Sequence, residues 1–149
     1  MRYWRVCHSP RSHRYKLQLI TNFAVRLVAE LGPRDRVTES LKVLYWLLVQ
    51  YRIKFNLCVM MHSVVDGTSP VYIKDFVTPT RETHGRSYLQ SAAEGNYNVS
   101  RFNTELARRA FPAAAQFEWN ALPANIKTIV DKDCFKKAPK TLFRRACNC

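Results

Sequence analysis

Acidic residues and glycines are scarce in this chain. Its 11 Asp and Glu stand against 24 Lys and Arg, and only 4 glycines occur in 149 residues. Those glycines, Gly32, Gly67, Gly85 and Gly95, are too dispersed to form a phosphate-cradling loop. No two aspartates are adjacent, and Asp35, Asp66, Asp75, Asp131 and Asp133 are scattered along the chain. A two-metal polymerase centre needs clustered carboxylates, so the sequence offers that chemistry no seat. Nor does any nucleophile stand beside a recognisable base. Long apolar runs are missing as well. The longest, Val43 to Val49, falls far short of the roughly 18 residues a membrane-spanning helix requires.

Disulfide and metal frameworks are also lacking. The 5 cysteines are an odd number without framework spacing, which fits reduced thiols and an intracellular setting. Cys147 and Cys149 have no second pair, while Cys7, His8 and His13 lie at the far end, so no zinc site and no cofactor is expected. Residues 1–14 carry Arg2, Arg5, Arg11 and Arg14 with no apolar stretch behind them, and read as a loose basic leader rather than a secretory signal. Without such a route, the sequon at Asn98-Val99-Ser100 reads as chance.

What is present is a globular composition with a strong positive field. Hydrophobic residues make up 47% and charged residues 23%, proportions that support a packed core. The formal net charge is +13, so polyanions are the natural partners.

The periodicity predicts a mainly α, single helical domain over residues 15–146, with a small antiparallel β element in the middle and a short tail at 147–149. In the first helix, Tyr15 to Leu31, the residues Leu17, Ile20, Ala24, Leu27, Val28 and Leu31 share a stripe, while Gln18, Asn22 and Arg26 face the other way. Gly32-Pro33 is expected to stop it. Thr38 reads as the cap of a short second helix through Leu41, Leu44 and Tyr45. Tyr51 to Val65 forms a third, nearly all-round apolar helix central to a core, closed by Asp66-Gly67. Ser87 to Ser91 and Tyr97 to Phe102 are expected to pair as a hairpin. A fourth helix runs from Thr104 to Asn120 with a break or start at Pro112, and a last one from Asp133 to Arg145. Cys58 and His62, one turn apart in the third helix, read as a buried thiol and a satisfied imidazole.

A series of short motifs then appears in order. Leu17-Gln18, Asn22 and Ala24-Val25-Arg26-Leu27 come first. Arg34 to Thr38 and Leu41 to Leu47 follow, then Trp46 to Phe55, Gly67, Pro70 to Ile73 and Gly85 to Leu89. Ala110-Phe111, Trp119-Asn120-Ala121-Leu122-Pro123 and Phe135-Lys136-Lys137 complete the series. In number, order and spacing this set resembles the C-terminal segment of non-LTR (LINE) retrotransposon reverse transcriptases of the CR1/L2/Jockey-like kind. The likeness covers about Tyr15 to Phe143. It departs from the family pattern at Leu48, where a proline is usual, and at Pro139, where a leucine is usual, with one residue fewer before Leu142-Phe143. A proline inside a helix costs about 3 kcal/mol, so the last helix is expected to be damaged, as in a drifting copy.

The resemblance implies a piece lying downstream of the polymerase domain. Such a piece is non-catalytic by itself, and its partners are RNA or DNA and the remainder of the reverse transcriptase. The candidate contacts are the basic residues Arg81, Arg86, Arg101, Arg108, Arg109, Lys136, Lys137, Lys140, Arg144 and Arg145. Lys136, Lys140 and Arg144 are spaced by four and would form one basic row on a helix. Trp119 and Leu122 read as a core anchor, with Asn120 capping backbone groups. Two readings of other classes stay open. One is an independent helical protein-interaction module with an apolar patch around Tyr45, Trp46 and Tyr51; the other is an inert relic peptide.

Overall fold

The computed structural model describes residues 13–83, 94–99, 101 and 103–146. Among them are eight α-helices, which we number α1 to α8, and one 3-10 turn. The chain is mainly helical, as the periodicity predicts. By internal contacts it divides into two compact units: residues 1–53 with 143–149, and residues 54–142.

In the first unit, α1 spans His13–Val28 and α2 spans Val37–Val43. The N-terminal stretch of α3 (Val49–Val65) and the C-terminal end of α8 (Lys132–Ala146) also belong to it. The stop of α1 differs from the expected glycine cap. Leu31 N–H bonds the Arg26 carbonyl at 2.9 Å, and Glu30, not Gly32, takes the left-handed position at φ 51°. That pattern is a Schellman termination. The second helix ends the same way, with Trp46 N–H on the Leu41 carbonyl and Tyr45 at φ 56°. Its start also differs, because Arg36 holds the cap position with no side-chain bond and Thr38 lies inside the first turn.

The orientation of α1 reverses the sequence expectation. Val25 is its one fully buried apolar residue, whereas the stripe of Leu17, Ile20, Leu27 and Val28 is exposed. The polar side is the one that is engaged. Gln18 donates to the Asn22 carboxamide at 2.8 Å and accepts the Val49 N–H at 2.9 Å, satisfying an orphan donor at the start of α3. Arg26 donates to the Gly32 carbonyl. The corner at Leu48 forms without proline, since the Leu48 carbonyl accepts from Tyr51 and Arg52.

The second unit contains the rest of α3, then α4 (Val71–Lys74), the 3-10 turn Thr80–Glu82, α5 (Glu105–Arg109), α6 (Phe111–Asn120), α7 (Ala124–Lys127) and most of α8. The closure of α3 is the one foreseen, with Gly67 at φ 77° donating to the Val64 carbonyl. Pro112 also acts as foreseen. Thr104 caps α5 by accepting the Ala107 N–H at 3.2 Å, Ala110 turns extended, and Pro112 sits in the first turn of α6.

The expected β element is not supported. No strand occurs among the described residues, and residues 87–91 lie outside them. Tyr97 forms only an isolated antiparallel bridge, with Pro79. The flanking groups make that bridge: Thr80 N–H bonds Asn96 O at 3.0 Å and Asn98 N–H bonds Thr78 O at 2.9 Å. The backbone groups of Tyr97 itself are held by the Asn120 side chain, so a ladder cannot grow from that side.

The last helix is not broken at Pro139. It runs from Lys132 to Ala146 with the proline inside. Phe135, Pro139 and Phe143 recur every four residues and all three are buried, so the ring takes a core-facing place in an apolar row. The burial offsets part of the cost of the missing N–H. Asp131 opens this helix, its carboxylate accepting the Cys134 N–H at 2.7 Å.

Candidate nucleic-acid interface

The core of the second unit sets what its surface can present. Trp119 is 1% exposed, and its ring lies 5.8 Å from that of Phe135, which in turn lies 4.1 Å from the His62 ring. The Trp119 indole N–H donates to Gly95 O at 3.1 Å. Asn120 holds Tyr97, Leu122 is buried, and Pro123 precedes α7. Trp119 through Pro123 are therefore interior and connecting residues and are not free to stack on bases.

His62 Nε2 lies 2.8 Å from the Ile129 carbonyl, which fixes the proton on that nitrogen, while Nδ1 has no partner. The imidazole is thus half satisfied. Burial, reinforced by the Glu118 carboxylate, pushes the Cys58 thiol up to about 12. Such a thiol is inert. Lys54 and Glu118 pair at 3.0 Å nearby.

The candidate cations divide by what holds them. Arg81, Arg101, Lys137, Lys140 and Arg145 are exposed and make no ion pair among the described residues. Arg108 and Arg109 are exposed in the last turn of α5, where they favour the helix dipole. Arg109 also meets Glu105 at 3.6 Å. Lys136 pairs with Asp133 at 2.9 Å. Arg86 lies outside the described residues.

Arg144 departs from the expected basic row. Its guanidinium donates to the Lys42 carbonyl at 2.9 Å and lies 4.0 Å from the centre of the Tyr45 ring. It is a packing residue of the first unit. The spacing-of-four row therefore leaves Lys140 as its unpaired member, with Lys137 exposed beside it. The alternative patch is likewise partial: Tyr45 and Trp46 are exposed, but Tyr51 is buried, tilted 6.1 Å from Phe143 and bonded to the Ala146 carbonyl.

A feature that the sequence did not reveal is a cleft of about 670 Å³ in the second unit. Arg81, Glu82, Glu94, Tyr97, Trp119 and Lys127 line it. Lys127 donates to Asn96 Oδ1 at 2.6 Å and to the Asn120 carbonyl at 3.2 Å. Burial holds its pKa below the usual lysine value, against the opposing pull of Glu94. Burial also raises the Tyr97 hydroxyl, with Glu82 adding to it. Two cations and two carboxylates line this cleft, so it has no single-sign field to draw a polyanion. The exposed cations on the turns and helices are better placed for that.

Among the described residues no group of three or more His, Cys, Asp or Glu side chains could hold a metal ion. No helix among them is long and apolar enough to cross a membrane. No protein-family model, curated protein or solved structure matches the chain.

Proposed function

We propose that the chain is the C-terminal segment of a non-LTR retrotransposon reverse transcriptase of the CR1/L2/Jockey-like kind. In this reading it supplies no catalytic carboxylates and contacts RNA or DNA through its basic surface. The observation that carries the reading is the place of the recognised residues. Gln18 and Asn22 form the inward polar pair of the first unit, and Trp119, Asn120, Leu122 and Phe135 form the connected interior of the second. That several members of the motif series hold the fold together supports reading the series as the trace of an inherited domain.

The nucleic-acid half of the reading rests on the net charge of +13 and on exposed cations without carboxylate partners. Arg81, Arg101, Lys137 and Lys140 are the contacts we assign to the second unit. Binding to phosphates releases counterions, so affinity should fall linearly with salt on a logarithmic scale, by about 0.7 to 0.9 per phosphate contact. Fluorescence anisotropy with labelled single-stranded RNA and duplex DNA tests this. Lys137→Gln with Lys140→Gln should weaken binding and flatten the slope by about two contacts. Absence of binding at low salt by a folded chain would remove this half of the proposal.

A further inference from the structure

Helix α1 carries its apolar stripe on the side turned to solvent. Leu17, Ile20, Phe23, Leu27 and Val28 are each at least half exposed, reaching 66% at Leu27. The opposite side is spent on Gln18 and Asn22, bonded to each other and to the start of α3. A surface helix ordinarily buries such a stripe and shows water its polar side. Here the arrangement is inverted over 16 residues. Contiguous exposed apolar surface of this extent marks an interaction site.

We propose that this face seats a second copy of the chain, with the two α1 helices packed antiparallel about a two-fold axis at Phe23. Area is the first argument. Side chains of this size, half or more exposed, offer on the order of 100 Å² each. Five of them on each copy then bury about 1,000 Å² in a symmetric pair, the size at which a specific interface begins.

Charge placement is the second argument, and it selects the direction. Lys16, Phe23 and Glu30 are spaced by seven residues, so they lie along one edge of the stripe. Lys16 and Glu30 are both exposed. A two-fold antiparallel pairing sets like edges opposite each other. Phe23 then meets its own copy on the axis, and Lys16 faces the other copy's Glu30 at both ends. A parallel two-fold pairing would set this edge against the opposite edge of the copy and give neither Lys16 nor Glu30 the other as a partner.

Sedimentation equilibrium of the full chain, in enough salt to screen its net charge, tests the proposal. The wild-type chain should be a concentration-dependent dimer, and Phe23→Glu or Leu27→Glu should be monomeric with an unchanged helical circular-dichroism spectrum. Lys16→Glu alone and Glu30→Lys alone should each raise the dissociation constant several-fold, and the double exchange should restore it. A monomer up to several hundred micromolar would overturn the proposal and leave the stripe to another occupant. So would a dimer indifferent to Phe23→Glu. A dimer in which the double exchange fails to restore affinity would overturn the antiparallel register.

Discussion

The side chain of Asn120 brackets the backbone of Tyr97: its amide donates to the Tyr97 carbonyl at 2.8 Å and its carbonyl accepts the Tyr97 N–H at 2.9 Å. One residue at the end of α6 thus does for Tyr97 what a neighbouring strand would do. It explains why an asparagine sits beside the buried Trp119, and why the bridge to Pro79 stays isolated.

Asn120→Ala should therefore destabilise the chain by about 1–3 kcal/mol, because two part-buried backbone groups lose their partners. Asn120→Asp should recover little, since a carboxylate cannot donate to the Tyr97 carbonyl. Trp119→Ala should cost more, about 3–5 kcal/mol, by emptying the space against Phe135. Urea denaturation followed by circular dichroism separates the three.

Much of the helical frame was legible because hydrophobic periodicity and local stop signals act within one or two turns. Gly67, Thr104 and Pro112 each do what their chemistry dictates. The direction of α1 was not legible. A stripe shows which residues are alike, but only tertiary packing decides whether it faces the core or solvent. Gln18 turned inward because the start of α3 needed an acceptor. The single-residue helix stops at Glu30 and Tyr45 were hidden for a related reason, since both take a backbone conformation that sequence reasoning assigns to glycine. Arg144 was misread because its partners, Lys42 and Tyr45, are about a hundred residues away. That Asn120 caps backbone groups was foreseen, but not that those groups belong to Tyr97.

Glu30 pays a left-handed backbone cost that glycine would not. Glu30→Gly should stabilise the fold by about 1 kcal/mol. The matching change at Tyr45 should gain less, because it removes the ring under the Arg144 guanidinium. Thermal melts at dilutions where the chain is monomeric provide the comparison.

Acid should weaken the start of α8. Hydrogen bonds from Cys134 hold the Asp131 carboxyl below its ordinary value. A lowered folded pKa means that this contribution is complete above the ordinary carboxylate range. It is lost as pH falls through the folded value, beneath about 3.9. Asp131→Asn should keep the cap and lose this pH dependence, and Asp131→Ala should lower Tm at neutral pH. Melting curves between pH 2 and 7 distinguish the two.

Cys58 should resist thiol reagents while the chain is folded. In a variant with Cys58 as its only cysteine, labelling at pH 8 should occur only through unfolding, and its rate should rise with urea as the native state is lost. Rapid labelling without denaturant would contradict the burial of this residue in α3.

The measurement that bears most directly on the account is the sequence of the transcript and genomic locus upstream of Met1. The account predicts that the region upstream encodes a polymerase domain with paired aspartates, joined in frame or interrupted only by stops and frameshifts. Unrelated sequence there, with no trace of a polymerase, would contradict it.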